Sequence, residues 1–518
     1  MNVELRGRRL DAACVAFFAL VALTSVWPIL SSGSIPAFQQ DWAWPLSREL
    51  DLQWLYSFFG LWDPRSLGHA NALPWQTFVV AAQAGIVLAF GPSLGLALIV
   101  ALLEFAAAMS CALLLDRFGV TSRAARTIAA TLYAFGPVVY TRIAAGHLAY
   151  LLAYALLPLA VAYGRRAIEE RAWIPAVLLG LTIGFAASQI QFLAIAWLAV
   201  LPLAVAVTRA PGWVWRLLLA ACVAIALQLQ ALLPLLAGST QSLYSAERAL
   251  LSWEYNNSSP FASALIGLGY FTQYYESHAL PWTPIVLYVL LGAAVLLGIF
   301  ARRRSGAYAT ILIALGAIFT AGLYGPLSGT LIWAFERSTY ATAFRDLHYF
   351  AVLTALGVAI GLGLAMQRVR PAAIVFALPV AWVVFPAAIG AELSSLLVPP
   401  RYVADALATM HAIELRGPGR VLWLPAEEPV GLVGSANVGR DFIAYGPGAN
   451  PSVSDNFQNP QIAYALAMLR DGTPDWNALR AIGIRFVVYR RYVRSGRKED
   501  NLGTGFQLAY GKLGDAQL

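Results

Sequence analysis

Asp41 is the residue of this 518-residue chain that is best placed for acid–base chemistry at a membrane surface. It follows the apolar segment 10–30 and directly precedes Trp42, and Trp44 lies two positions further on. Trp side chains favour the boundary between lipid and water, so we expect the two indoles to fix the depth of the carboxylate. Asp41 is then either a solvated loop residue or a base that faces a lipid-linked substrate.

The composition is that of a polytopic membrane protein. Hydrophobic residues make up 59% of the chain, charged residues 12%, and the mean hydropathy is +0.65, whereas soluble domains have roughly 45–50% apolar and about 25% charged residues. The net charge of +8 fits basic cytoplasmic loops and does not by itself indicate nucleic acid. The three cysteines lie in separate apolar runs and have neither disulfide nor metal-site spacing.

Apolar runs long enough to cross a bilayer predict about eleven transmembrane helices. The predicted spans are 10–31, 93–115, 127–141, 149–163, 172–187, 190–207, 214–237, 281–300, 307–323, 348–366 and 372–391. A further run, 75–91, begins after Pro74 and ends at Gly91-Pro92. We expect it to lie along or dip into the outer leaflet rather than to cross the membrane.

Basic residues set the orientation, because they concentrate in cytoplasmic loops. With eleven spans, sixteen arginines fall on the N-terminal side of the membrane: Arg6, Arg8, Arg9, Arg117, Arg123, Arg126, Arg165, Arg166, Arg171, Arg209, Arg216, Arg302, Arg303, Arg304, Arg368 and Arg370. Six fall on the other side: Arg48, Arg65, Arg142, Arg248, Arg337 and Arg345. This asymmetry predicts a multi-pass protein of the cell (cytoplasmic) membrane with a cytoplasmic N-terminus. The polar, non-basic loops, including a large first loop at 32–92, then lie outside.

Two regions follow from this pattern. Residues 1–398 form the predicted all-α polytopic transmembrane bundle, and 399–518 have the composition of a small extracytoplasmic α/β domain. Within the latter, 419–424 and 484–489 are predicted strands and 475–482 a predicted helix. In the first outer loop, 47–60 has helical amphipathic spacing, which fits a helix lying on the membrane or packed against the C-terminal domain.

The order of these features resembles the GT-C membrane glycosyltransferases and, more narrowly, the YfhO-like bacterial membrane proteins of that superfamily. The resemblance covers most of the chain, although its C-terminal domain is shorter than relatives often carry. The residues that carry it are Gln40-Asp41-Trp42, Leu61-Trp62-Asp63-Pro64, Gly146-His147-Leu148, Ser245-Ala246-Glu247-Arg248, Phe344-Arg345-Asp346-Leu347-His348 and the strand around Ile484-Arg485-Phe486.

The resemblance implies transfer of a sugar from a polyprenyl phosphate donor to an extracytoplasmic acceptor, which could be a cell-envelope glycan, a lipid or a protein. The leaving group would be a phosphate monoester with a second pKa of about 6, so it needs no proton to depart. One carboxylate, Asp41, then suffices as the base that takes the proton of the acceptor hydroxyl. Attack from the opposite face of the sugar predicts inversion at the anomeric carbon.

The donor phosphate requires cationic or N–H partners on the same face. The candidates are Arg142, His147, Arg248, Arg345 and His348. Arg345 is the first choice because Asp346 could orient its guanidinium, although the pair could equally be a local ion pair. His147 either binds phosphate or caps a span.

Other candidate substrate-binding residues are Trp42, Gln189, Gln191 and Glu247. The two glutamines could meet sugar hydroxyls or only satisfy a turn, and Glu247 with Arg248 could be an exposed ion pair. No cofactor is certain. Asp41 with Glu247 or Asp346 could hold a divalent cation, but no spacing in the chain requires a metal.

Glu104 keeps another class of function open, because it lies within a predicted span, where a charge requires a cavity or a partner. A transporter or flippase of lipid-linked sugars is the main alternative, although its usual internal repeat is not evident. A scaffold whose terminal domain binds cell-wall components is a third possibility.

Overall fold

The fold is described from a computed structural model. It describes residues 12–37, 41–42, 44–59, 62–63, 69–70, 77–236, 259–268, 275–338, 341, 345–368, 372–425, 430–435, 452–453, 461, 464–465, 467–468, 471, 473–490 and 492–495.

The chain is a polytopic bundle of helices. The helices of the first half are α1 (Ala12–Ser25), α2 (Trp27–Ser32), α3 (Arg48–Phe59), α4 (Thr77–Phe90), α5 (Pro92–Arg117), α6 (Arg123–Phe135), α7 (Pro137–Ala145), α8 (Leu148–Glu169), α9 (Ile174–Ala186), α10 (Gln191–Val200), α11 (Leu203–Ala206), α12 (Trp213–Leu227) and α13 (Leu229–Leu236). Those of the second half are α14 (Phe261–Leu265), α15 (Thr283–Ala301), α16 (Arg303–Ala321), α17 (Ser328–Arg337), α18 (Ala351–Arg368), α19 (Ala372–Ala388), α20 (Ala391–Leu396), α21 (Pro400–Glu414) and α22 (Trp476–Ala481). There are also two 3₁₀ turns. η1 (Gly322–Tyr324) extends α16, and η2 (Leu347–Phe350) directly precedes α18.

Among the described residues, seven helical segments are long and apolar enough to cross a membrane. They are Pro92–Arg117, Arg123–Ala145, Leu148–Glu169, Thr283–Ala301, Arg303–Tyr324, Leu347–Arg368 and Ala373–Leu396. The four other predicted spans coincide with the shorter apolar helices α1, α9, α10 with α11, and α12. The helices therefore lie where the hydropathy pattern predicts them, and the count of eleven crossings stays a prediction. The extra run 75–91 is helix α4, and its position at the membrane surface also stays a prediction.

Gly and Pro divide the central part of the bundle. Gly91 precedes Pro92 at the first position of α5, where the missing N–H of proline is tolerated. Gly136-Pro137 separates α6 from α7 within one buried span. α7 ends at Gly146, which has the left-handed φ of +80° that favours glycine. These breaks bring the end of α7 and the start of α8 into one sharp turn.

Glycines also allow the late helices to approach closely. A Cβ on Gly361 of α18 would lie 2.4 Å from the carbonyl oxygen of Ala294 in α15, and one on Gly357 would lie 2.6 Å from that of Ala309 in α16. Small residues at such contacts are typical of helix packing in membranes. α18 is consequently almost wholly buried between its neighbours.

The bundle has two chemically different ends. At one end, Arg302 donates to the carbonyl of Phe118 at 2.7 Å and Arg165 donates to that of Arg117 at 2.6 Å. At the other end, Asp41 contacts the turn between α7 and α8. The arginine-rich loops and the polar segments thus lie on opposite sides, as the alternation of loops predicts. Which side faces the cytoplasm stays a prediction.

The strands lie mostly in the C-terminal part. They are β1 (Ile35–Pro36), β2 (Trp62–Asp63), β3 (His69–Ala70), β4 (Leu397–Val398), β5 (Arg420–Leu424), β6 (Val430–Leu432), β7 (Ser452–Val453), β8 (Ile484–Tyr489) and β9 (Val493–Ser495). β5 is central and pairs in parallel with β7 and β8, whereas β6 and β9 are antiparallel. The predicted strands 419–424 and 484–489 and the predicted helix 475–482 are therefore present.

The C-terminal part is tied to the bundle in two ways. β1, in the first long loop, pairs with β4 at the end of the last apolar segment. Apolar residues of the C-terminal part, including Ile413, Val421 and Trp423, belong to the same contiguous core as the bundle. The predicted domain boundary at 398/399 is neither supported nor excluded by these contacts and stays a prediction.

Candidate active site

The turn between α7 and α8 positions the first two polar side chains of the site. The N–H of Gly146 donates to the carbonyl of Ile143 at 3.1 Å, and that of His147 donates to the carbonyl of Arg142 at 3.0 Å. These bonds close the end of α7 and place Arg142 and His147 on the same side of the turn. The Arg142 Nη1 lies 3.4 Å from the His147 Nδ1.

Asp41 is held on this turn by its own backbone and by its neighbour. The Asp41 N–H donates to the carbonyl of Ala145 at 3.2 Å, and the Trp42 indole N–H donates to the carbonyl of Ile143 at 3.0 Å. A Cβ on Gly146 would lie 3.0 Å from the Trp42 backbone nitrogen and 3.2 Å from the Asp41 carbonyl carbon. The Asp41 segment therefore fits against the turn only because residue 146 is glycine.

The two tryptophans correct one sequence-based expectation. Trp42 is 1% exposed and Trp44 is 4% exposed, so neither indole sits at a lipid–water boundary. The Trp44 indole N–H donates to the carbonyl of Pro92 at the start of α5, at 3.0 Å. Hydrogen bonds to helix ends, not interfacial anchoring, fix the position of Asp41. Trp42 is accordingly a positioning residue, and a direct contact with substrate stays a prediction.

Asp41 and His147 form the central pair. The Asp41 Oδ2 lies 2.9 Å from the His147 Nε2, and the Asp41 side chain is 42% exposed whereas that of His147 is 9% exposed. A guanidinium can only donate, so the Arg142 contact assigns the lone pair of His147 to Nδ1 and its proton to Nε2. His147 then donates to Asp41, and the carboxylate stays accessible from the open side.

Arg142, which contacts the His147 Nδ1, is fully buried. It is 1% exposed, and its guanidinium lies 5.0 Å from the ring centre of Tyr150 and 5.4 Å from that of Tyr349. Cation–π contacts of this kind stabilise a desolvated guanidinium. A guanidinium enclosed in this way is suited to orient His147.

The segment before α18 supplies a second wall, formed by Arg345 and Asp346. The Asp346 Oδ2 lies 3.8 Å from the Arg345 Nη2 and accepts a hydrogen bond from the Gln191 Nε2 at 3.3 Å. The Gln189 Nε2 in turn donates to the Gln191 Oε1 at 2.9 Å. Thus the two glutamines do more than satisfy a turn: they connect α10 to Asp346.

The charges of the two walls interact. Burial raises the pKa of Asp346, whereas the positive charge of Arg345 lowers it and the negative charge of Asp41 raises it. Asp346 is therefore within electrostatic reach of Asp41. The Arg345 side chain is 21% exposed, which makes it more accessible than Arg142.

His348 completes the wall beneath these groups. It is 1% exposed, and its ring stacks on that of His147 with a centroid distance of 6.4 Å and an interplanar angle of 25°. Tyr349 contacts both imidazoles edge to face. His348 therefore packs against His147.

Most of the predicted site residues come together in this structure. They are Asp41, Trp42, Arg142, His147, Gln189, Gln191, Arg345 and His348. Glu247 and Arg248 lie outside the described residues. Tyr150 and Tyr349 were not predicted, and no sequence signal distinguishes them from the many other aromatic residues of the bundle. Within the part of the chain that the structure describes, no group of three or more His, Cys, Asp or Glu side chains could hold a metal ion.

The fold has counterparts among solved structures. The cryo-EM structure of the arabinofuranosyltransferase AftD from Mycobacteria superposes with a TM-score of 0.66 at 17% sequence identity, over 96% of this chain and 37% of that chain. Two structures of a mutant of AftD superpose with TM-scores of 0.60 and 0.58 at 18% and 19% identity, over 92% and 94% of this chain. This chain thus spans little more than a third of the length of AftD.

Comparison at the sequence level is negative. No protein-family model matches the chain, and no curated protein matches it. The likeness of this chain to part of a mycobacterial arabinofuranosyltransferase is therefore a likeness of fold.

Proposed function

We propose that the protein is a membrane glycosyltransferase of the GT-C type, with Asp41 as its catalytic base. It moves a sugar from a polyprenyl phosphate donor to an extracytoplasmic glycan, lipid or protein, with inversion at the anomeric carbon. It resides in the cell membrane with its N-terminus in the cytoplasm and the Asp41 site outside. The fold shared with part of AftD supports this assignment; the narrower YfhO-like resemblance rests on the sequence alone.

The geometry of Asp41 is the observation that carries the proposal. A carboxylate that served only solubility would not need a glycine-dependent fit, a backbone hydrogen bond and a buried histidine partner. Nevertheless its side chain is 42% exposed. A rigidly held but accessible carboxylate is what a general base requires, because its position decides the rate of proton transfer.

The reaction uses the two walls differently. The acceptor hydroxyl attacks the anomeric carbon while its proton passes to Asp41, and the bond from that carbon to the phosphate oxygen breaks. His147 keeps the carboxylate aligned during attack. Arg345, on the second wall, stabilises the negative charge that grows on the departing phosphate. No second acidic carboxyl is needed, in contrast with glycosidases.

Gln189, Gln191 and Asp346 fit the recognition of sugar hydroxyls. Amides and a carboxylate provide both donors and acceptors, which a hydroxyl group requires. A divalent cation between Asp41 and Asp346 is an alternative use of the same carboxylates. Removal of divalent ions with a chelator separates the two, since hydroxyl recognition survives it.

Two buried carboxyl groups keep a transporter of lipid-linked sugars as the second candidate. Glu104 in α5 is 1% exposed and accepts a hydrogen bond from the Ser25 hydroxyl. Glu392 in α20 is also 1% exposed and interacts electrostatically with Glu104. Ionisable groups at such depth are common in transport pathways. Sugar transfer by protein in detergent, where no second compartment exists, distinguishes an enzyme from a transporter.

The decisive experiment is transfer by the purified full chain in detergent from synthetic polyprenyl phosphate sugars, including an arabinofuranose and several hexoses, to envelope glycan fragments. Asp41→Asn should lower the rate about 10²–10⁴-fold at normal expression and membrane insertion. Glu49→Gln is the matched control, because Glu49 is an exposed acid in the same loop. Undiminished transfer by Asp41→Asn would refute the assignment of the base.

A further inference from the structure

A cavity of about 250 Å³ lies at the end of the bundle opposite to Asp41. It opens between α11 and the first turns of α16. Its principal lining residues are Val205, Ala206, Arg303, Arg304, Tyr308 and Ile311. α16 runs from this cavity to η2, which follows Arg345 and Asp346 in the chain, so the two sites are separated by the length of a membrane-spanning helix. None of these residues takes part in the proposed transfer reaction.

The cavity carries two positive charges, and its described lining contains no acidic residue. Arg303 and Arg304 are exposed, and neither forms an ion pair within the described part of the chain. Their neighbours at this end of the bundle differ. Arg302 donates to the carbonyl of Phe118, and Arg165 and Arg166 form ion pairs with glutamates one helical turn further on. The cavity is thus a local excess of positive charge.

The walls below these guanidinium groups are apolar and face outward. Val205 is 75% exposed and Ile311 is 36% exposed, and both lie on helices of the apolar bundle. The Tyr308 hydroxyl is already used, because it donates to the carbonyl of Ala199 at 2.8 Å. The lining therefore offers cations at the mouth and hydrocarbon contacts beneath. This combination matches a lipid with an anionic headgroup better than a free anion, which gains nothing from apolar walls.

We propose that this cavity binds an anionic phospholipid, with its phosphate between Arg303 and Arg304 and its acyl chains along Val205 and Ile311. Guanidinium groups bind phosphate oxygens through paired N–H donors. A lipid bound there would contact both α11 and α16, and would thereby stabilise α16, the helix that contacts η2 next to Arg345 and Asp346.

Native mass spectrometry of the full chain in detergent tests the proposal, with phosphatidylglycerol and phosphatidylcholine of identical acyl chains as probes. Phosphatidylglycerol should bind at least about tenfold more tightly, because two basic side chains attract its anionic headgroup. The double variant Arg303→Gln/Arg304→Gln should lose this preference. Arg117→Gln/Arg171→Gln, which removes two exposed arginines outside the cavity, should keep it.

A second variant tests the cavity without touching its charge. Ala307→Phe, on the lining, should fill the space and weaken phosphatidylglycerol binding while both arginines remain. Glycerol 3-phosphate should not displace the lipid; displacement at equal concentration would assign the site to a soluble phosphate and overturn the proposal. Equal binding of the two lipids, or unchanged binding by both cavity variants, would also overturn it.

Discussion

Asp41 and His147 are 106 positions apart in sequence, yet their side chains meet at 2.9 Å between Oδ2 and Nε2. The contact is directional, because Arg142 at the opposite ring nitrogen leaves Nε2 as the donor. It depends on a turn that only glycine accommodates. The pair therefore joins Asp41, the proposed base, to a histidine whose position is fixed by the turn between α7 and α8.

His147→Ala should lower kcat while KM changes little, because it removes the donor that aligns the base and leaves the substrate contacts intact. A hydrogen bond to a charged group contributes about 1.5–3 kcal/mol, which corresponds to a loss of roughly ten- to hundredfold in rate. His147→Gln should recover part of the loss, since its amide can donate to the carboxylate. Steady-state kinetics with the polyprenyl phosphate donor measures both effects.

A double-mutant cycle shows whether His147 acts through Asp41. In the Asp41→Asn background, His147→Ala should have little further effect, because the two residues would act as one unit. If the two losses simply multiply, the positioning role of His147 is wrong.

Arg345→Gln should reduce kcat by about 10²–10³-fold, the loss found when a donor to a developing negative charge is removed. KM for the donor should change less, since the charge on the phosphate grows only as the glycosidic bond breaks. Arg345→Lys should restore part of the rate because it keeps the charge but not the fork geometry.

Arg337→Gln is the control: Arg337 lies against Trp333 in α17, in the same outer segment. An Arg345→Gln enzyme that differs from wild type only in KM would show that Arg345 merely binds the ground state.

The sequence predicted the positions of the helices well because hydropathy and length decide whether a segment can cross a membrane. It also placed Asp41, His147 and Arg345 on one side, since the alternation of basic loops sorts residues by face. Neither signal contains information about which side chains touch.

The errors follow from this limit. Residue type predicts Trp42 and Trp44 at the lipid boundary, but each indole N–H donates to a backbone carbonyl at the end of a helix and each side chain is buried. The enclosure of Arg142 by Tyr150 and Tyr349 joins α7, α8 and the turn before α18. Such contacts between distant segments arise from tertiary packing, for which a single sequence has no local pattern.

Asp51 should make the stability of the protein depend on pH. It lies in α3, fully buried, and burial raises its pKa from 3.8 to about 7. Between these two values the folded chain binds more protons at this site than the unfolded chain does, so its contribution to stability falls as the pH rises and levels off above about pH 7. Asp51→Asn should remove this slope and raise the Tm at pH 8.

Thermal unfolding of the purified chain from pH 5 to pH 8 measures this effect. Glu49→Gln in the same helix should retain the slope, because the pKa of Glu49 is lowered, chiefly by a hydrogen bond from its own backbone N–H and then by the Ser47 side chain. Identical pH profiles for wild type and Asp51→Asn would show that Asp51 is solvated in the folded protein.

Gly146→Ala should abolish most of the transfer activity, whereas its effect on the Tm should be small. Gly146 has a φ of +80°, and a left-handed conformation costs a residue with a Cβ roughly 1–2 kcal/mol. In addition, the new methyl would stand 3.0 Å from the Trp42 nitrogen and 3.2 Å from the Asp41 carbonyl carbon, so the Asp41 segment must move away from His147.

Gly33→Ala is the matched control, because Gly33 has a φ of +65° with nothing within 4 Å of an added Cβ. Both variants should show a similar fall in Tm, whereas only Gly146→Ala should lose transfer activity. Equal activity of the two variants would mean that the approach of residue 146 does not position the base.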